Sequence, residues 1–202
     1  CYDHVYVLHH PDEERSACRP LRTAPCYDRM KKHGAQFGCV NGWERPNYFA
    51  PLGFNDEVSR SFRRGSWWQY AAEEATAIRK NVGMIDGSAF TKHIVKGPGA
   101  TRFLNWFTCN KLPRSGRLNL TYALTSHGTT RTEFTIIRLR DDTYYLISAG
   151  AWTDYDSDYL VKKAEEKMSD YGYIEIINCT NQWGVFAVAG PNARKFLKKI
   201  VK

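Results

Sequence analysis

The sequence lacks long apolar runs, paired cysteines and low-complexity tracts. No apolar stretch approaches the roughly 18 residues that cross a bilayer, so we expect no membrane partner. The 6 cysteines among 202 residues form no C-x-x-C pair, so we predict no metal site. With no secretory signal at the start of the sequence, reduced thiols are the simpler expectation. A first residue other than Met favours a piece of a longer chain.

The charge balance is basic but dispersed. There are 29 Lys and Arg residues against 21 Asp and Glu residues, a formal net charge of +8. Such a balance favours anionic partners without choosing among them. The basic residues near the C-terminus alternate with apolar ones, which is typical of the solvated face of a helix. We therefore expect no nucleic-acid partner; binding that fell steeply with salt would restore that alternative.

The chain divides by composition near residue 60. Residues 1–60 are rich in proline and glycine and favour a loop-rich connector, with one short helix at 27–32. From Ser66, a candidate helix cap, the pattern becomes regular. Helical periodicity predicts helices at 66–82, after 97–99, at 154–168 and after 190–191. Period-two patterns predict strands at 90–96, 118–125, 132–139, 143–148, 173–178 and 184–189.

Short turns connect the three central strands, so these strands predict an antiparallel meander. Helices interleaved with antiparallel strands indicate an α+β domain. The last helix presents apolar residues on one face that need a partner, so we expect the domain to be truncated. No G-x-G-x-x-G follows a strand, which excludes a dinucleotide-pyrophosphate site of that type in this chain.

Four ordered segments resemble a known family. They are His10-Pro11-Asp12-Glu13-Glu14-Arg15, Gly42-Trp43-Glu44-Arg45-Pro46-Asn47-Tyr48-Phe49, Asp86-Gly87-Ser88-Ala89-Phe90 and Gly190-Pro191-Asn192-Ala193-Arg194. The first two look like the central connector of FAD-dependent dimethylglycine and sarcosine dehydrogenases. The last two are similar to elements of the glycine-cleavage T-protein. Each match is weak by itself, but the order from residue 10 to residue 194 is specific.

The resemblance implies a two-part enzyme. A missing FAD module would oxidise an N-methylated glycine to an iminium, and a T-protein-like module would hold tetrahydrofolate, which captures the one-carbon unit. Residues 1–60 would be the connector, and residues 61–202 the N-terminal part of the folate-binding module. The partners implied are the FAD module, the rest of the folate module, folate and the iminium. The location implied is the mitochondrial matrix.

The same resemblance selects Glu133 as the catalytic residue. Dimethylglycine dehydrogenases look as though they place a glutamate here, and Glu133, Phe134 and Thr135 are similar to their E-L-T element, which implies folate contacts. A carboxylate near the folate nitrogens would accept a proton or stabilise the cationic iminium. Strand alternation puts Glu133 on one face with aliphatic residues. The alternative is a solvated strand end paired with Arg131 or Lys92.

The sequence also departs from the family pattern. Thr129 stands where the T-protein turn has its second glycine, and Thr125-Ser126 replaces Asn-Glu. Folate contacts from later parts of the module lie beyond Lys202. These departures keep a second function open: a non-catalytic relative similar to the regulatory subunit of pyruvate dehydrogenase phosphatase. Retention of a carboxylate at position 133 favours the enzyme.

Overall fold

A computed structural model describes residues 2, 6–10, 13–55 and 62–201. The chain separates into two compact units, the first formed by residues 1–89 with 184–202 and the second by residues 90–183. The helices are α1 (Tyr27–Lys32), α2 (Trp68–Lys80), α3 (Ala100–Phe107), α4 (Thr153–Tyr171) and α5 (Ala193–Leu197). The strands are β1 (Ala35–Val40), β2 (Trp43–Phe49), β3 (Gly83–Asp86), β4 (Thr91–Lys96), β5 (Leu118–Leu124), β6 (Thr130–Arg140), β7 (Thr143–Ser148), β8 (Glu175–Asn178) and β9 (Phe186–Ala189).

The second unit is an antiparallel sheet with two helices on one face. Its five strands are ordered β5-β6-β7-β4-β8, and every neighbouring pair is antiparallel. Apolar residues from α3 and α4 pack on the inward side chains of the sheet, including Phe134, Ile136 and Leu146. The predicted α+β class and the meander of β5, β6 and β7 are both confirmed.

Helix α3 follows directly from its sequence pattern. Ala100, Phe103, Leu104 and Phe107 repeat at helical spacing, and all four are buried against the sheet, as predicted. Gly99 precedes the helix where a Cβ would come within 2.4 Å of the Gly172 carbonyl oxygen, so only glycine fits. The apolar spacing thus identifies the buried face of α3, and the close approach of Gly99 to Gly172 marks the residue before its first turn.

A layer of buried polar groups lies under the first turn of α4. Ser148 and Thr132 donate to Asp156 Oδ2 at 2.6 and 3.2 Å, and Asp156 is 1% exposed. Burial raises the pKa of Asp156 above its ordinary value, against those hydrogen bonds, which lower it. The layer ties α4 to strands β6 and β7 through specific hydrogen bonds rather than through apolar contact alone.

His93 belongs to the same interface and is fully buried. The Ser157 hydroxyl donates to the Thr153 carbonyl at 2.7 Å, so its oxygen accepts from His93 Nε2 at 2.8 Å. The proton of the neutral ring therefore sits on Nε2. Burial lowers the pKa of His93 to about 4, because the charged form would be desolvated.

The first unit contains a hairpin where the sequence predicted a loop-rich connector. Strands β1 and β2 pair around Asn41 and Gly42, whose φ angles are 52° and 79°. Two central residues with positive φ form the turn that two-residue hairpins favour, and Asn-Gly is its strongest sequence signal. The prediction was wrong for residues 35–49, because the prolines in this segment indicated a loop. Both strands of a two-stranded sheet are edge strands, and an edge strand tolerates a proline such as Pro46. Helix α1 is confirmed within its predicted bounds.

The first unit also contains β3, which pairs with β9, and helices α2 and α5. The sequence did not predict β3, and Ser66 does not cap α2, whose N-cap residue is Trp67. The predicted last helix is shorter than its apolar pattern indicated: α5 ends at Leu197, so Ile200 and Val201 lie beyond it, 63% and 66% accessible. Phe196 and Leu197, which are within α5, are 37% and 36% accessible.

A buried ion pair organises the hairpin of the first unit. Arg19 Nε and Nη2 donate to the two oxygens of Glu44 at 2.8 and 2.6 Å, and Nη2 also donates to the Phe37 carbonyl at 2.9 Å. The Glu44 side chain is only 3% exposed. Glu14 accepts a further bond from Arg19 at 3.2 Å. The Glu44 carboxylate beside it raises the pKa of Arg19.

Among the described residues, no helix is long and apolar enough to cross a membrane. Cys26, Cys39, Cys109 and Cys179 are free, in agreement with the expectation of reduced thiols. Cys18 is disulfide-bonded, so that expectation is wrong for this residue. The spacing of the cysteines along the sequence did not predict this disulfide, because none of them forms a C-x-x-C pair.

Arg19→Met should destabilise the first unit by about 3–5 kcal/mol, because it leaves the Glu44 carboxylate buried without its cation. Denaturant unfolding of the variant measures the loss. The control is Asp141→Asn, which removes a pair whose acid is 90% exposed and should cost less than about 1 kcal/mol. Equal losses in the two variants would contradict the structural role given to Arg19.

The free energy of unfolding should fall as the pH drops from about 6.5 to about 4. In this window the unfolded chain binds a proton at His93 while the folded chain, with its pKa of about 4, does not. The loss of unfolding free energy caused by His93 is complete below about pH 4 and amounts to about 3 kcal/mol. Asp156 contributes with the opposite sign, because its raised pKa makes the folded chain bind a proton at a higher pH than the unfolded chain does.

His93→Gln removes this titration and should flatten the pH dependence of unfolding between those limits. His127→Gln, in an exposed turn, is the matched control and should leave the curve unchanged. Urea unfolding at a series of pH values gives both curves. Parallel curves for His93→Gln and the unaltered chain would show that His93 is not the responsible group.

Candidate functional site

The candidate site lies on the hairpin formed by β5 and β6. The hydrogen bonds that close its turn include one from the Thr125 amide to the Thr129 carbonyl at 2.9 Å and one between the two threonine hydroxyls at 2.7 Å. Gly128 has a φ of 79°, which glycine adopts without strain. Thr129, which replaces the family's second glycine, therefore closes this turn through its side chain.

The alternation along β6 separates the three predicted site residues. Phe134 is fully buried, and its ring centroid lies 6.2 Å from that of Phe107 in the core. Glu133 is exposed and Thr135 is half-buried, so both lie on the face of the sheet opposite to α3 and α4. The structure brings Glu133 and Thr135 together and directs the Phe134 side chain away from them. A ligand on the face of Glu133 would meet only the backbone of Phe134.

Tyr122 is the residue that lies opposite Glu133. The two residues are directly opposed across β5 and β6. Hydrogen bonding to the Glu133 carboxylate and the charge of that carboxylate raise the pKa of Tyr122. Glu133 itself is exposed.

The outward side of β5 and β6 carries apolar side chains. Exposed leucines lie on these two strands, with Leu120 47% and Leu139 47% accessible, and Leu120 is the nearer of the two to Glu133 along the strands. Leu120, Thr135 and Ile147 form one cross-strand row beside the row of Tyr122 and Glu133. We refer to these outward residues, namely Leu118, Leu120, Tyr122, Glu133, Thr135, Ile137, Leu139 and Ile147, as the open face. It offers a flat apolar area with a carboxylate at one end.

Arg131, one partner predicted for Glu133, is engaged elsewhere. Its guanidinium lies 3.8 Å from the ring centroids of both Tyr155 and Tyr159, and it donates to the Tyr155 hydroxyl. Lys92, the other predicted partner, is fully buried in β4. Glu133 therefore lies opposite Tyr122, while Arg131 contacts the aromatic rings of Tyr155 and Tyr159.

The described residues contain no group of three or more His, Cys, Asp or Glu side chains placed to hold a metal ion. A cavity of about 730 Å³ lies in the first unit, lined by residues that include Arg19, Glu44, Tyr48 and Trp67. None of the predicted site residues lines it. The candidate site is therefore an exposed surface of the second unit and not this cavity.

Tyr122 is the site residue that sequence reasoning missed. Its signal was present: counting back from the turn at 125–129 along a regular hairpin places position 122 close to opposite position 133. The irregularity of pairing between Ala123 and Leu124 fixes the register at Tyr122 with Glu133. The sequence alone does not specify such an irregularity, so it does not fix which residue of β5 lies opposite Glu133.

The five-stranded sheet backed by α3 and α4 defines the fold class as aminomethyltransferase-like. The structure superimposes on the crystal structure of glycine cleavage system aminomethyltransferase T from Bartonella henselae with a TM-score of 0.68. The match has 24% identity and covers 89% of this chain and 43% of that one. At this identity the likeness shows the fold alone.

The chain belongs to the family of the GCVT N-terminal domain, whose model matches residues 26–202. It is 32% identical to mouse mitochondrial dimethylglycine dehydrogenase over 195 residues, which cover 96% of this chain and 22% of the relative. It is also 31% identical over 150 residues to the mouse mitochondrial pyruvate dehydrogenase phosphatase regulatory subunit, covering 71% of this chain and 17% of that protein. The predicted resemblance is confirmed, and the chain spans about a fifth of these relatives. The predicted boundary at residue 60 stays a prediction.

Glu133→Gln and Phe134→Ala should differ sharply in stability although they are neighbours. Glu133 is exposed, so its amide variant should change the free energy of unfolding by no more than about 0.5 kcal/mol. Phe134 fills the core, so its truncation should cost about 3–5 kcal/mol. Chemical denaturation of both variants measures this. A large loss for Glu133→Gln would assign the carboxylate a structural role.

Proposed function

We propose that this chain is part of a tetrahydrofolate-linked oxidative demethylase of N-methylglycines, and that it contributes to the capture of the one-carbon unit by folate. Glu133 is the catalytic carboxylate of this step. The observation that carries the proposal is an exposed carboxylate, opposite Tyr122, at one end of a sheet face that carries apolar side chains. Membership of the GCVT N-terminal domain family and the likeness to dimethylglycine dehydrogenase support it.

The open face fits a reduced folate in its chemistry. A pterin is flat and has polar edges, so it needs an apolar surface for its ring and charged or polar groups at its rim. Leu120 and Ile147 supply apolar surface, and Thr135 lies in the same cross-strand row. Glu133 supplies the acceptor. Further contacts would come from the rest of the folate module of the complete protein.

When bound, tetrahydrofolate supplies the nitrogens that take up the one-carbon unit. The carboxylate of Glu133 accepts the proton that an attacking amine must lose, or stabilises the positive charge of an approaching iminium. Tyr122 lies opposite the carboxylate on β5. Attack of water on the same iminium carbon would instead release formaldehyde, so water and the folate nitrogen compete for this carbon.

The complete protein carries the oxidation on a separate FAD module. In this proposal that module generates the iminium from dimethylglycine, sarcosine or a similar N-methylated glycine, and the described chain receives it. The relatives named dimethylglycine dehydrogenase are mitochondrial, so we extend the proposal to a mitochondrial location. The basic balance of +8 favours anionic ligands, and a folate with its glutamate carboxylates is one.

A regulatory function is the second candidate. The likeness to the pyruvate dehydrogenase phosphatase regulatory subunit and the altered turn at Thr129 favour it. A purely regulatory protein would not depend on the ionised form of Glu133. The two functions are therefore distinguished by whether the complete protein converts an N-methylated glycine at all.

In the complete protein, Glu133→Gln should uncouple amine oxidation from folate capture. The amide keeps the shape of the side chain but is a far weaker base, and loss of one general base typically costs 10²–10⁴-fold in the step it serves. Simultaneous measurement of amine consumed, methylene-tetrahydrofolate formed and formaldehyde released gives the partition. We expect unchanged oxidation with a shift towards formaldehyde.

The control is Glu165→Gln, which makes the same chemical change at an exposed position of α4, the helix that covers the opposite face of the sheet. It should leave the partition unaltered. If Glu133→Gln formed methylene-tetrahydrofolate in normal yield, Glu133 would have no role in capture, and the proposed function would lose its mechanism.

A further inference from the structure

We propose that the Tyr145 hydroxyl donates a hydrogen bond to an acceptor oxygen in the tail of the folate, and so selects a folate over a pterin that lacks this tail. This rests on the proposed function, because it concerns the ligand of the open face. It adds a specificity-determining residue at a distance from Glu133. The ordered sequence motifs do not include position 145.

Tyr145 lies on the same side of the sheet as the open face. It is directly opposite Ile137 of β6 and Ile94 of β4. Directly opposed side chains of an antiparallel pair project from the same face, and Ile137 belongs to the open face. The neighbouring residues Tyr144 and Leu146 are fully buried in the core on the other face. The register and the core packing therefore agree that Tyr145 projects away from α3 and α4.

The Tyr145 hydroxyl is buried and has no hydrogen-bond partner among the described residues. The residue is only 7% exposed. Burial raises the pKa of Tyr145 to about 12, so the hydroxyl keeps its proton at neutral pH. A buried donor without an acceptor costs free energy, and in native proteins such a group calls for a specific explanation. Tyr145 thus offers a donor whose acceptor the described residues do not supply.

Four other buried polar atoms of the second unit also lack a partner among the described residues, and they belong to His93, Arg131, Arg138 and Asp156. All four lie on the inner side of the sheet. His93 bonds to Ser157 of α4, Asp156 is part of α4, Arg131 packs on tyrosines of α4, and Arg138 lies over the ring of the core residue Tyr144. In this part of the chain, Tyr145 is therefore the unpaired group on the side of the open face.

The separation of Tyr145 from Glu133 fits the tail of a folate. Glu133 and Ile137 are four residues apart on β6, about 13–14 Å at the rise of a strand, and Tyr145 lies about 4.8 Å further, on the next strand. The two fused rings of a pterin are shorter than this separation, whereas the aminobenzoyl-glutamate tail of an extended folate covers it. The amide and carboxylate oxygens of that tail are acceptors for a phenol. With the reacting nitrogens at Glu133, an acceptor therefore comes within reach of Tyr145.

Trp183 packs against Tyr145. The two ring centroids are 5.4 Å apart, with 32° between the ring planes. Trp183 itself is 48% exposed, so much of its ring is open to solvent. Turning this ring away costs one aromatic contact, which the benzoyl ring of a folate tail would replace. We therefore expect the tail to reach the Tyr145 hydroxyl by displacing Trp183.

Tyr145→Phe in the complete protein removes the hydroxyl and keeps the ring. Tetrahydrofolate should bind about tenfold more weakly, because the bond to its tail is lost. Tetrahydropterin, which has the fused rings but no tail, should bind unchanged. Anaerobic calorimetry measures both dissociation constants. At saturating tetrahydrofolate, the partition between methylene-tetrahydrofolate and formaldehyde should be unaltered, because Tyr145 is remote from the reacting atoms.

Tyr144→Phe is the matched control. The Tyr144 hydroxyl is bonded to that of Thr101 at 2.9 Å on the inner face of the sheet. Its loss should lower the melting temperature without weakening tetrahydrofolate binding. Tyr145→Phe, measured without folate, should leave the melting temperature unchanged or higher, because it removes a buried donor that has no partner. The two signs separate a donor that serves a ligand from one that serves the fold.

Weaker binding of tetrahydrofolate alone, with no fall in melting temperature, supports the assignment of Tyr145. Unchanged binding of tetrahydrofolate, equal weakening of both ligands, or a lower melting temperature in Tyr145→Phe overturns this assignment and leaves the proposed function standing. If the complete protein binds no tetrahydrofolate, the proposed function fails, and the role of Tyr145 fails with it.

Discussion

The burial of one side of β6 determines what the other side can do. Phe134 and Ile136 are fully buried beneath α3 and α4, and together with the other core residues they provide most of the apolar contact of the second unit. Because side chains alternate along a strand, Glu133 and Thr135 must then face outward. A shift of one residue in the register would bury the carboxylate and expose Phe134. The position of the candidate site is thus fixed by the core.

The polar layer beneath α4 adds specificity to that arrangement. Asp156 receives hydrogen bonds from hydroxyls on β6 and β7, and His93 on β4 donates to Ser157 of α4. Apolar contacts alone tolerate sliding of a helix over a sheet, whereas buried hydrogen bonds with defined donors and acceptors favour one position. The helix that covers the inner face is therefore held in register with the strands whose outer face carries Glu133.

Much of this could be predicted from the sequence. The apolar spacing of Ala100, Phe103, Leu104 and Phe107 predicted α3, and alternation predicted the meander, because both patterns reflect burial on one side of a regular element. The ordered family motifs pointed to Glu133. The hairpin of β1 and β2 was missed although Asn41-Gly42 signals it, and the short strand β3 has too few residues to show a period.

The sequence by itself determined the class of the fold and the face of β6 on which Glu133 lies, because periodicity records which side chains are buried. Only the tertiary structure decided which residue lies opposite Glu133. Tyr122 takes this place through a cross-strand register that includes an irregularity, while the guanidinium of Arg131 packs on two aromatic rings of α4. Contacts between residues distant in the chain depend on how strands and helices pack, and no local pattern encodes them.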